Sequence, residues 1–377
     1  MTPYMGWNTY YGVGGGFDEA AIKSVAGSLV STGLAGAGYR IVWLDFGWAS
    51  GARDSAGNLV VNPTQWPDGM AGLTSWLHGQ GLEAGIYTDA GTSGCSGKGV
   101  GSYGHYQQDA DMFASWGFDA VKVDFCGAGQ EGLTPEPLYS EFASALANNA
   151  SRRPMILNVC NFWVPGQING TLPTLANSSY ANYQWAPQFA QSWRTDTDIG
   201  FIRNVVFSNV LRNLDHNAAH PEAAGPGHWN DPDYLAPGLG MTDTEAQSQF
   251  SMWAMLAAPL ILGSDPRVLS ANQLAMLKNA QVIAVDQDPL GAQGTLVTQS
   301  GTSQVWVKPL ASGARAVALF NRGSATAQIS TTASDVGLPA ASTYHLLNLW
   351  TDGATTTSGD ITASVPSHGV VLYRVNP

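Results

Sequence analysis

The sequence predicts an α/β protein in which a (β/α)8 TIM barrel, residues 1–290, is followed by a C-terminal antiparallel β-sandwich, residues 291–377. Two observations lead to this prediction. Short apolar runs alternate with helical patterns in the first part of the chain, as in β/α units that build a parallel sheet. After Gln287 the sequence changes to short runs in which apolar and polar residues alternate, separated by Ser, Thr and Gly. The length of 377 residues suits one large domain and one smaller domain.

Eight segments have the composition of short buried strands. They are residues 3–7, 39–45, 82–89, 120–124, 154–160, 192–195, 227–233 and 259–265. Eight β/α units in about 285 residues match the usual size of a TIM barrel, whose active site lies at the carboxyl ends of its strands. We therefore expect the functional residues where these segments end.

Helical spacing of apolar residues predicts the crossover helices between the strands. One set ends near Gly33, and a second set lies further along the chain. The two sets are Ile22, Val25, Ala26, Leu29 and Val30, and Leu138, Phe142 and Leu146. Each helix is expected to bury one face.

In the C-terminal part, apolar and polar residues alternate over residues 304–308, 316–320 and 369–373. This period of two is typical of antiparallel strands with one buried face. We place the boundary between the two parts near residue 290.

Composition excludes several classes of function. The net charge is -12 and the pI is near 4.8, which argues against nucleic acid as a partner because phosphate binding needs a basic surface. Hydrophobic residues make up 44% of the chain, yet no apolar run is long enough to cross a membrane. The acidic balance favours a secreted enzyme that acts on a neutral polymer or a small sugar. The chain opens at Met1 without the regions of a signal peptide, so such a peptide has been removed or never existed.

Acidic and aromatic residues gather at the predicted strand ends. The acids are Asp45, Asp89, Asp124, Asp233 and Asp265, and the nearby tryptophans are Trp7, Trp43, Trp48, Trp193 and Trp229. Aromatic faces stack on the C–H faces of sugars, although such tryptophans also fill barrel cores. Acids combined with aromatic residues at the mouth of a barrel favour a glycosidase.

A glycosidase needs two carboxyl groups beside the scissile bond, about 5 Å apart when the anomeric configuration is retained. Asp124 is the candidate nucleophile. Lys122 lies two residues earlier on the same face of the strand, where its ammonium would keep the carboxylate ionised. The general acid must hold a proton, and both Asp198 and its neighbour Asp196 are candidates that sequence spacing does not separate.

Two rival interpretations come from other classes. His216 and His220 are four residues apart and would share a helical face, with Asp231 and Asp233 nearby, as in a metal-dependent hydrolase. No Glu follows the first histidine as it does in the zinc protease motif. A non-catalytic sugar-binding barrel would be expected to lose one of the two acids, whereas this chain keeps both.

The motifs together resemble glycoside hydrolase family 27, the α-galactosidase and α-N-acetylgalactosaminidase family. They are Met5-Gly-Trp7, Gly85-Ile-Tyr-Thr-Asp-Ala-Gly91, Lys122-Val-Asp-Phe-Cys126, Trp193-Arg194 with Asp198, Gly225-Pro-Gly-His-Trp-Asn-Asp-Pro-Asp233 and Val282-Ile-Ala-Val-Asp-Gln-Asp288. The resemblance covers residues 3 to 295, while the sandwich is similar only in kind.

The resemblance implies specific roles. Asp124 would be the nucleophile, and Asp198, four residues after Arg194, would be the acid/base. The family pattern also implies a sugar subsite and a disulfide between Cys95 and Cys126, which leaves Cys160 as a free thiol at the pocket wall. The residues expected to line that subsite are Trp7, Asp45, Tyr87, Lys122, Arg194 and Asp233.

Three pocket positions depart from the family pattern. Phe46 replaces the second acid of a pair that binds the hydroxyls on the O4/O6 side of galactose. Asn161 and Phe162 stand where the family has Glu-Trp, and Tyr234 stands where many members have Met. Losing such hydrogen bonds should affect which sugar is accepted.

The resemblance therefore implies a retaining, exo-acting α-glycoside hydrolase. Its expected partner is an oligosaccharide or polysaccharide with a terminal α-linked sugar, and no cofactor or metal is expected. An α-galactosidase is the first expectation. An exo-hydrolase of α-1,6-glucan of the isomalto-dextranase type and a β-L-arabinopyranosidase remain alternatives.

Overall fold

A computed structural model describes residues 1–95, 99–161 and 181–377. Its largest sheet contains eight parallel strands, one for each predicted segment. They are β1 (Met5–Asn8), β2 (Ile41–Leu44), β3 (Glu83–Asp89), β4 (Ala120–Asp124), β5 (Ile156–Cys160), β6 (Ser192–Arg194), β9 (Trp229–Asp231) and β10 (Leu260–Leu262). The order is β10-β1-β2-β3-β4-β5-β6-β9. A parallel bridge between Leu235 and Leu262 joins the segment after β9 to β10, so the two ends of the sheet meet.

Twelve α-helices are present in the described part of the chain. They are α1 (Thr9–Gly12), α2 (Glu19–Ser31), α3 (Leu34–Ala37), α4 (Gly69–Gly79), α5 (Tyr106–Ser115), α6 (Cys126–Gln130), α7 (Pro135–Ala147), α8 (Asn182–Trp185), α9 (Phe207–Asn217), α10 (Asp243–Met255), α11 (Ala271–Leu277) and α12 (Ala280–Asp286). The predicted faces of α2 and α7 are buried, except that Val30 is 42% exposed. Helix α2 therefore buries a narrower apolar stripe than predicted, the one that faces the sheet.

A two-stranded ribbon, β7 (Gly200–Phe201) and β8 (Asn204–Val205), follows β6. This ribbon was not predicted, because strands of two residues are too short to show a recognisable periodicity.

The C-terminal part is antiparallel, as predicted. A six-stranded sheet has the order β11-β12-β13-β18-β15-β16, and a second sheet pairs β14 with β17. The strands are β11 (Thr295–Ser300), β12 (Ser303–Pro309), β13 (Arg315–Asn321), β14 (Ala327–Thr332), β15 (Tyr344–Asn348), β16 (Ala354–Thr357), β17 (Asp360–Val365) and β18 (Val370–Asn376). A core that includes Leu319, Ile329 and Ile361 lies between the two sheets. The TIM barrel and β-sandwich are thus confirmed. The division at residue 290 stays a prediction, and it falls between α12 and β11.

Helix α10 connects the two parts and is buried along most of its length. The indole of Trp350 donates to Ser251 Oγ over 2.9 Å, and Lys308 Nζ donates to the carbonyl of Ala254 over 2.9 Å. No helix in the described part of the chain is long and apolar enough to span a membrane.

Candidate active site

The carboxyl ends of neighbouring strands bring the predicted side chains together. In the strand register Asp89 pairs with Asp124, and Asp124 pairs with Cys160. Asp45 follows β2, and Arg194 ends β6. The predicted acids and cations therefore surround one opening, as expected at the mouth of a parallel barrel.

Asp124 is partly exposed and held by neighbours on its own strand and on β3. The hydroxyl of Tyr87 donates to Oδ2 over 2.9 Å, and the amide of Phe125 donates to Oδ1 over 2.8 Å. Cys95 and Cys126 form the disulfide that the resemblance implied, and Cys160 is free. The disulfide sulfurs lie 3.3 Å from Oδ2 (Cys95) and 3.6 Å from Oδ1 (Cys126). These contacts fix the carboxylate.

Lys122 is buried and forms its ion pair with Asp45, at 2.8 Å between Nζ and Oδ2. Asn8 Nδ2 donates to the same oxygen over 2.8 Å, and the amide of Phe46 donates to Oδ1 over 2.8 Å. Burial alone would raise the pKa of Asp45, but the charge of Lys122 and these hydrogen bonds lower it. Asp45 is therefore the ionised partner of Lys122.

This pairing changes the role expected for Lys122. Burial raises the pKa of Asp124, and the charge of Lys122 only partly opposes that increase. The charge of Lys122 lowers the pKa of Asp124 as expected in direction, but its ion pair is with Asp45. The period of two along the strand gives the face that Lys122 occupies and not the acid that it meets across the barrel, so its part in keeping Asp124 ionised stays a prediction.

The structure separates the two candidates for the acid/base. Asp196 is fully buried, with Oδ2 at 2.8 Å from Arg212 Nε and 2.5 Å from His216 Nδ1. The side chain of Asp198 is 32% exposed, and its Oδ1 accepts a hydrogen bond from Arg194 Nη2 over 2.9 Å. Asp196 is thus closed off from solvent, whereas Asp198 is partly exposed next to Arg194.

Arg194 also pairs with Asp233, at 3.0 Å between Nη2 and Oδ2. The same oxygen accepts from the hydroxyl of Tyr11 over 2.5 Å and from the amide of Ile199 over 2.8 Å. Burial raises the pKa of Asp233 to about 6, against the lowering effect of Arg194. Nε and Nη1 of Arg194 are buried without an acceptor among the described residues, so two donors of this guanidinium stay unused.

Tyr234 lies between the two cations of the site. Its ring centre is 5.4 Å from Lys122 Nζ and 5.6 Å from the guanidinium carbon of Arg194. Its hydroxyl accepts a hydrogen bond from Asn8 Nδ2 over 3.1 Å. Cation–π attraction therefore helps to hold both cations in place.

Phe46 forms an apolar part of the opening, where the family pattern has an acid. Its ring meets Tyr87 edge to face, with 6.1 Å between the ring centres. The side chain is partly exposed.

Asn161, by contrast, is almost completely buried, and Asn182 Nδ2 donates to its carbonyl. Cys160 is partly exposed, and burial together with the charge of Asp124 raises the pKa of its thiol. Phe162 lies outside the described residues.

Trp7 does not reach the opening. It is fully buried, and its indole donates to the carbonyl of Ser264 over 2.9 Å. The other tryptophans near strand ends, Trp43, Trp48, Trp193 and Trp229, are also core residues. Tyr10, three positions after Trp7, is partly exposed, and its ring centre is 6.0 Å from Lys122 Nζ. Tyr10 and Tyr11 were not among the predicted site residues, because they lie on the helical turn after β1 and not at the strand end.

The remaining acids at strand ends have structural contacts. Asp89 accepts hydrogen bonds from the amides of Gly91, Gly127 and Ala128 at 2.7–3.1 Å, and it thereby ties β3 to α6. Burial, followed by the charge of Asp124, raises the pKa of Asp89 to about 7. Asp265 forms a two-pronged pair with Arg267.

The potential metal-binding groups are otherwise engaged. In the described part of the chain, Asp89, Cys95, Asp124 and Cys126 bring possible ligand atoms within 4.8 Å of one another, but the two sulfurs form a disulfide and carry no thiolate. His216 contacts Asp196, and His220 contacts Glu222 over 2.9 Å and stacks on Tyr183. The two histidines thus face different partners.

Comparisons with known proteins agree with this architecture. A family model for alpha galactosidase A matches residues 15–288, and one for the alpha galactosidase C-terminal beta sandwich domain matches residues 300–375. The chain is 38% identical to an alpha-galactosidase of Cyamopsis tetragonoloba over 380 residues, covering 100% of this chain and 87% of that relative. It is 40% identical to an alpha-galactosidase of Coffea arabica over 379 residues, covering 100% of this chain and 94% of that relative.

Solved structures give the same result. Alpha-galactosidase I from Mortierella vinacea superimposes with a TM-score of 0.88 at 29% identity, covering 99% of this chain and 96% of that one. The alpha-galactosidase from Saccharomyces cerevisiae with raffinose gives a TM-score of 0.86 at 26% identity, covering 100% and 98%. The chain belongs to the α-galactosidase family, glycoside hydrolase family 27, and is an α-galactosidase-like glycoside hydrolase.

Proposed function

We propose that this enzyme removes terminal α-linked galactose from oligosaccharides or polysaccharides with retention of configuration. Asp124 is the nucleophile and Asp198 is the acid/base. The observation that carries this assignment is that Asp124 and Asp198 are partly exposed at one opening, whereas Asp196 is sealed by Arg212 and His216. A complex of a relative with raffinose, an oligosaccharide, supports the substrate class.

The reaction proceeds in two displacements. Asp124 attacks the anomeric carbon, the bond to the leaving oxygen breaks, and Asp198 transfers its proton to that oxygen. Water then attacks the glycosyl-enzyme ester, gives its proton to Asp198 and releases Asp124. Two inversions at one carbon leave the configuration unchanged.

The cations and the aromatic residues hold the sugar in this mechanism. Arg194 holds Asp198 and Asp233 through Nη2, and Asp45 and Lys122 form a second charged pair across the ring of Tyr234. Tyr10 supplies an aromatic face beside Lys122. Charge-assisted hydrogen bonds of this kind orient a sugar strongly.

Chemical rescue of alanine variants by azide tests both roles. With p-nitrophenyl α-D-galactoside, Asp198→Ala should yield the α-galactosyl azide, because azide replaces the water of the second step. Asp124→Ala should yield the β-azide, because azide replaces the nucleophile. Asp196→Ala is the matched control and should yield no azide product. An inverted first product of the wild type, seen by NMR, would refute retention.

A second candidate is the hydrolysis of β-L-arabinopyranosides. This sugar has the shape of α-D-galactose without the hydroxymethyl group, and Phe46 presents an apolar ring where an acid would bind hydroxyls on that side. We expect Phe46→Asp to raise the galactoside to arabinopyranoside ratio of kcat/KM. Dextran, assayed alongside for isomaltose release, tests the α-1,6-glucan alternative.

We also propose that the enzyme is secreted. The net charge of -12 and the disulfide between Cys95 and Cys126 support this location, because disulfides persist in oxidising compartments. Fractionation of the native host, followed by immunodetection of the enzyme, tests it.

A further inference from the structure

An exposed aromatic residue lies three positions after the proposed acid/base. The β7–β8 ribbon begins two residues after Asp198, and Phe201 at its end is 66% exposed. An exposed apolar ring of this size can bury part of its surface against a ligand. In the described part of the chain Phe201 packs against neither hydrophobic core.

The ribbon is fixed to the rest of the site, although the ring is not. The amide of Arg203 donates to the carbonyl of Tyr11 over 3.1 Å, and Val205 donates to Leu239 over 2.7 Å. Ile202 covers Gly14, where a Cβ would lie 3.5 Å from its terminal methyl carbon. The backbone that carries Phe201 is therefore held next to Tyr11 and Gly14, and none of these contacts involves the ring of Phe201.

A strip of glycines extends from the ribbon to Phe46. Gly14 lies under Ile202, and a Cβ at Gly15 would lie 3.2 Å from the carbonyl oxygen of Phe46 and 3.6 Å from its ring. Gly15 and Gly16 are exposed, and a Cβ at Gly16 would meet no atom within 4 Å. Gly14 is buried, so the exposed part of the strip is Gly15 and Gly16, which carry no side chains and lie next to Phe46.

The chemistry of the reaction identifies what occupies this surface. The acid/base must give its proton to the leaving oxygen, so the leaving group must occupy the space beside Asp198. An aromatic face next to exposed backbone fits the apolar and hydroxyl faces of a neutral sugar ring. A small alcohol as leaving group would be too small to contact both the aromatic face and the exposed backbone.

We propose that Phe201, Ile202 and the exposed glycines Gly15 and Gly16 form the subsite for the leaving sugar. This proposal rests on the proposed function of Asp198. We therefore expect the enzyme to prefer substrates in which the cleaved bond joins two sugars. Phe201 supplies the stacking face, and the glycines supply room for the ring.

Two substrates with different leaving groups test this subsite. The first is melibiose, which has a glucose leaving group, and the second is α-galactosyl fluoride, whose fluoride is too small to stack. In Phe201→Ala the loss of kcat/KM on melibiose should exceed the loss on the fluoride by about threefold to tenfold, the value of one aromatic contact. Phe201→Tyr keeps the ring and should restore the melibiose rate.

Leu296→Ala, which removes a side chain that is 41% exposed on the sandwich, is the matched control and should alter neither rate. Equal losses on the two substrates in Phe201→Ala would overturn the subsite while leaving the proposed function intact. If the wild type hydrolysed neither galactosyl substrate, the proposed function would fail, and the subsite with it.

Discussion

The hydroxyl of Tyr87 donates a hydrogen bond of 2.9 Å to Oδ2 of Asp124. Burial raises the pKa of Asp124, and this hydrogen bond is one of the contacts that lower it. The nucleophile must be ionised, so activity falls as the pH drops through the pKa of Asp124. Tyr87→Phe should move the acidic limb of kcat/KM up by about one pH unit, because a hydrogen bond to a charged group contributes roughly 1.5 kcal/mol.

The control for this shift is Tyr139→Phe. The hydroxyl of Tyr139 donates to the carbonyl of Val123 over 2.9 Å, next to Asp124 in sequence but away from its carboxylate. The pH profile of this variant should keep its acidic limb. A limb that moved equally in both variants, or in neither, would contradict the assignment of Asp124.

Substitution of Asp196 should mainly lower stability, whereas substitution of Asp198 should mainly lower catalysis. Asp196→Asn removes a buried charge from Arg212, which is 31% exposed, and should lower the free energy of unfolding by about 2 kcal/mol. Asp198→Asn should change that free energy by less than about 1 kcal/mol, because its pair is partly exposed. Urea unfolding and kcat, measured on both variants, check this. A larger loss of kcat in Asp196→Asn would reverse the two roles.

The disulfide beside Asp124 should support both stability and catalysis. Replacing Cys95 and Cys126 by Ala opens a loop with a sequence separation of 31 residues. The expected cost is about 3–4 kcal/mol of unfolding free energy, and kcat should fall because both carboxylate oxygens lose a neighbour. Reductant should lower the melting temperature of the wild type and leave that of the double variant unchanged. A wild type that is insensitive to complete reduction would argue against this role.

A buried pair between barrel and sandwich should make stability depend on pH. Asp286 and Lys308 are both buried, and burial raises the pKa of Asp286 to about 8 and lowers that of Lys308 to about 8. Between the usual pKa of Asp, 3.8, and about 8, the folded protein holds a proton that the unfolded chain has lost, so stability falls as pH rises. Between about 8 and the usual pKa of Lys, 10.5, the unfolded chain holds the extra proton, so stability increases.

The pair should therefore contribute a minimum of stability near pH 8. Urea unfolding of the wild type and of the double variant Asp286→Asn/Lys308→Met, followed from acid to alkaline pH, measures this contribution as a difference. The difference should be most unfavourable to the wild type near that pH. A difference that is flat over the whole range would show that the pair does not titrate in this way.

The local pattern of apolar and polar residues was enough to predict most of the fold. The eight barrel strands were predicted because a buried parallel strand needs a continuous apolar run. Strands β12, β13 and β18 were predicted because apolar and polar residues alternate along them. The β7–β8 ribbon was missed, although it now carries Phe201, because its strands contain only two residues each. Short elements are held by contacts distant in sequence, such as that between Val205 and Leu239.

The sequence by itself determined the fold, the family and the positions of Asp124 and Asp198 near strand ends, because alternation and motif spacing are local properties of the chain. Only the tertiary structure decided which charges meet. It paired Lys122 with Asp45, buried Asp196, and placed Tyr10 at the opening in place of Trp7. The physical reason is that ion pairing and burial depend on distances across the closed barrel, and spacing along one strand does not encode those distances.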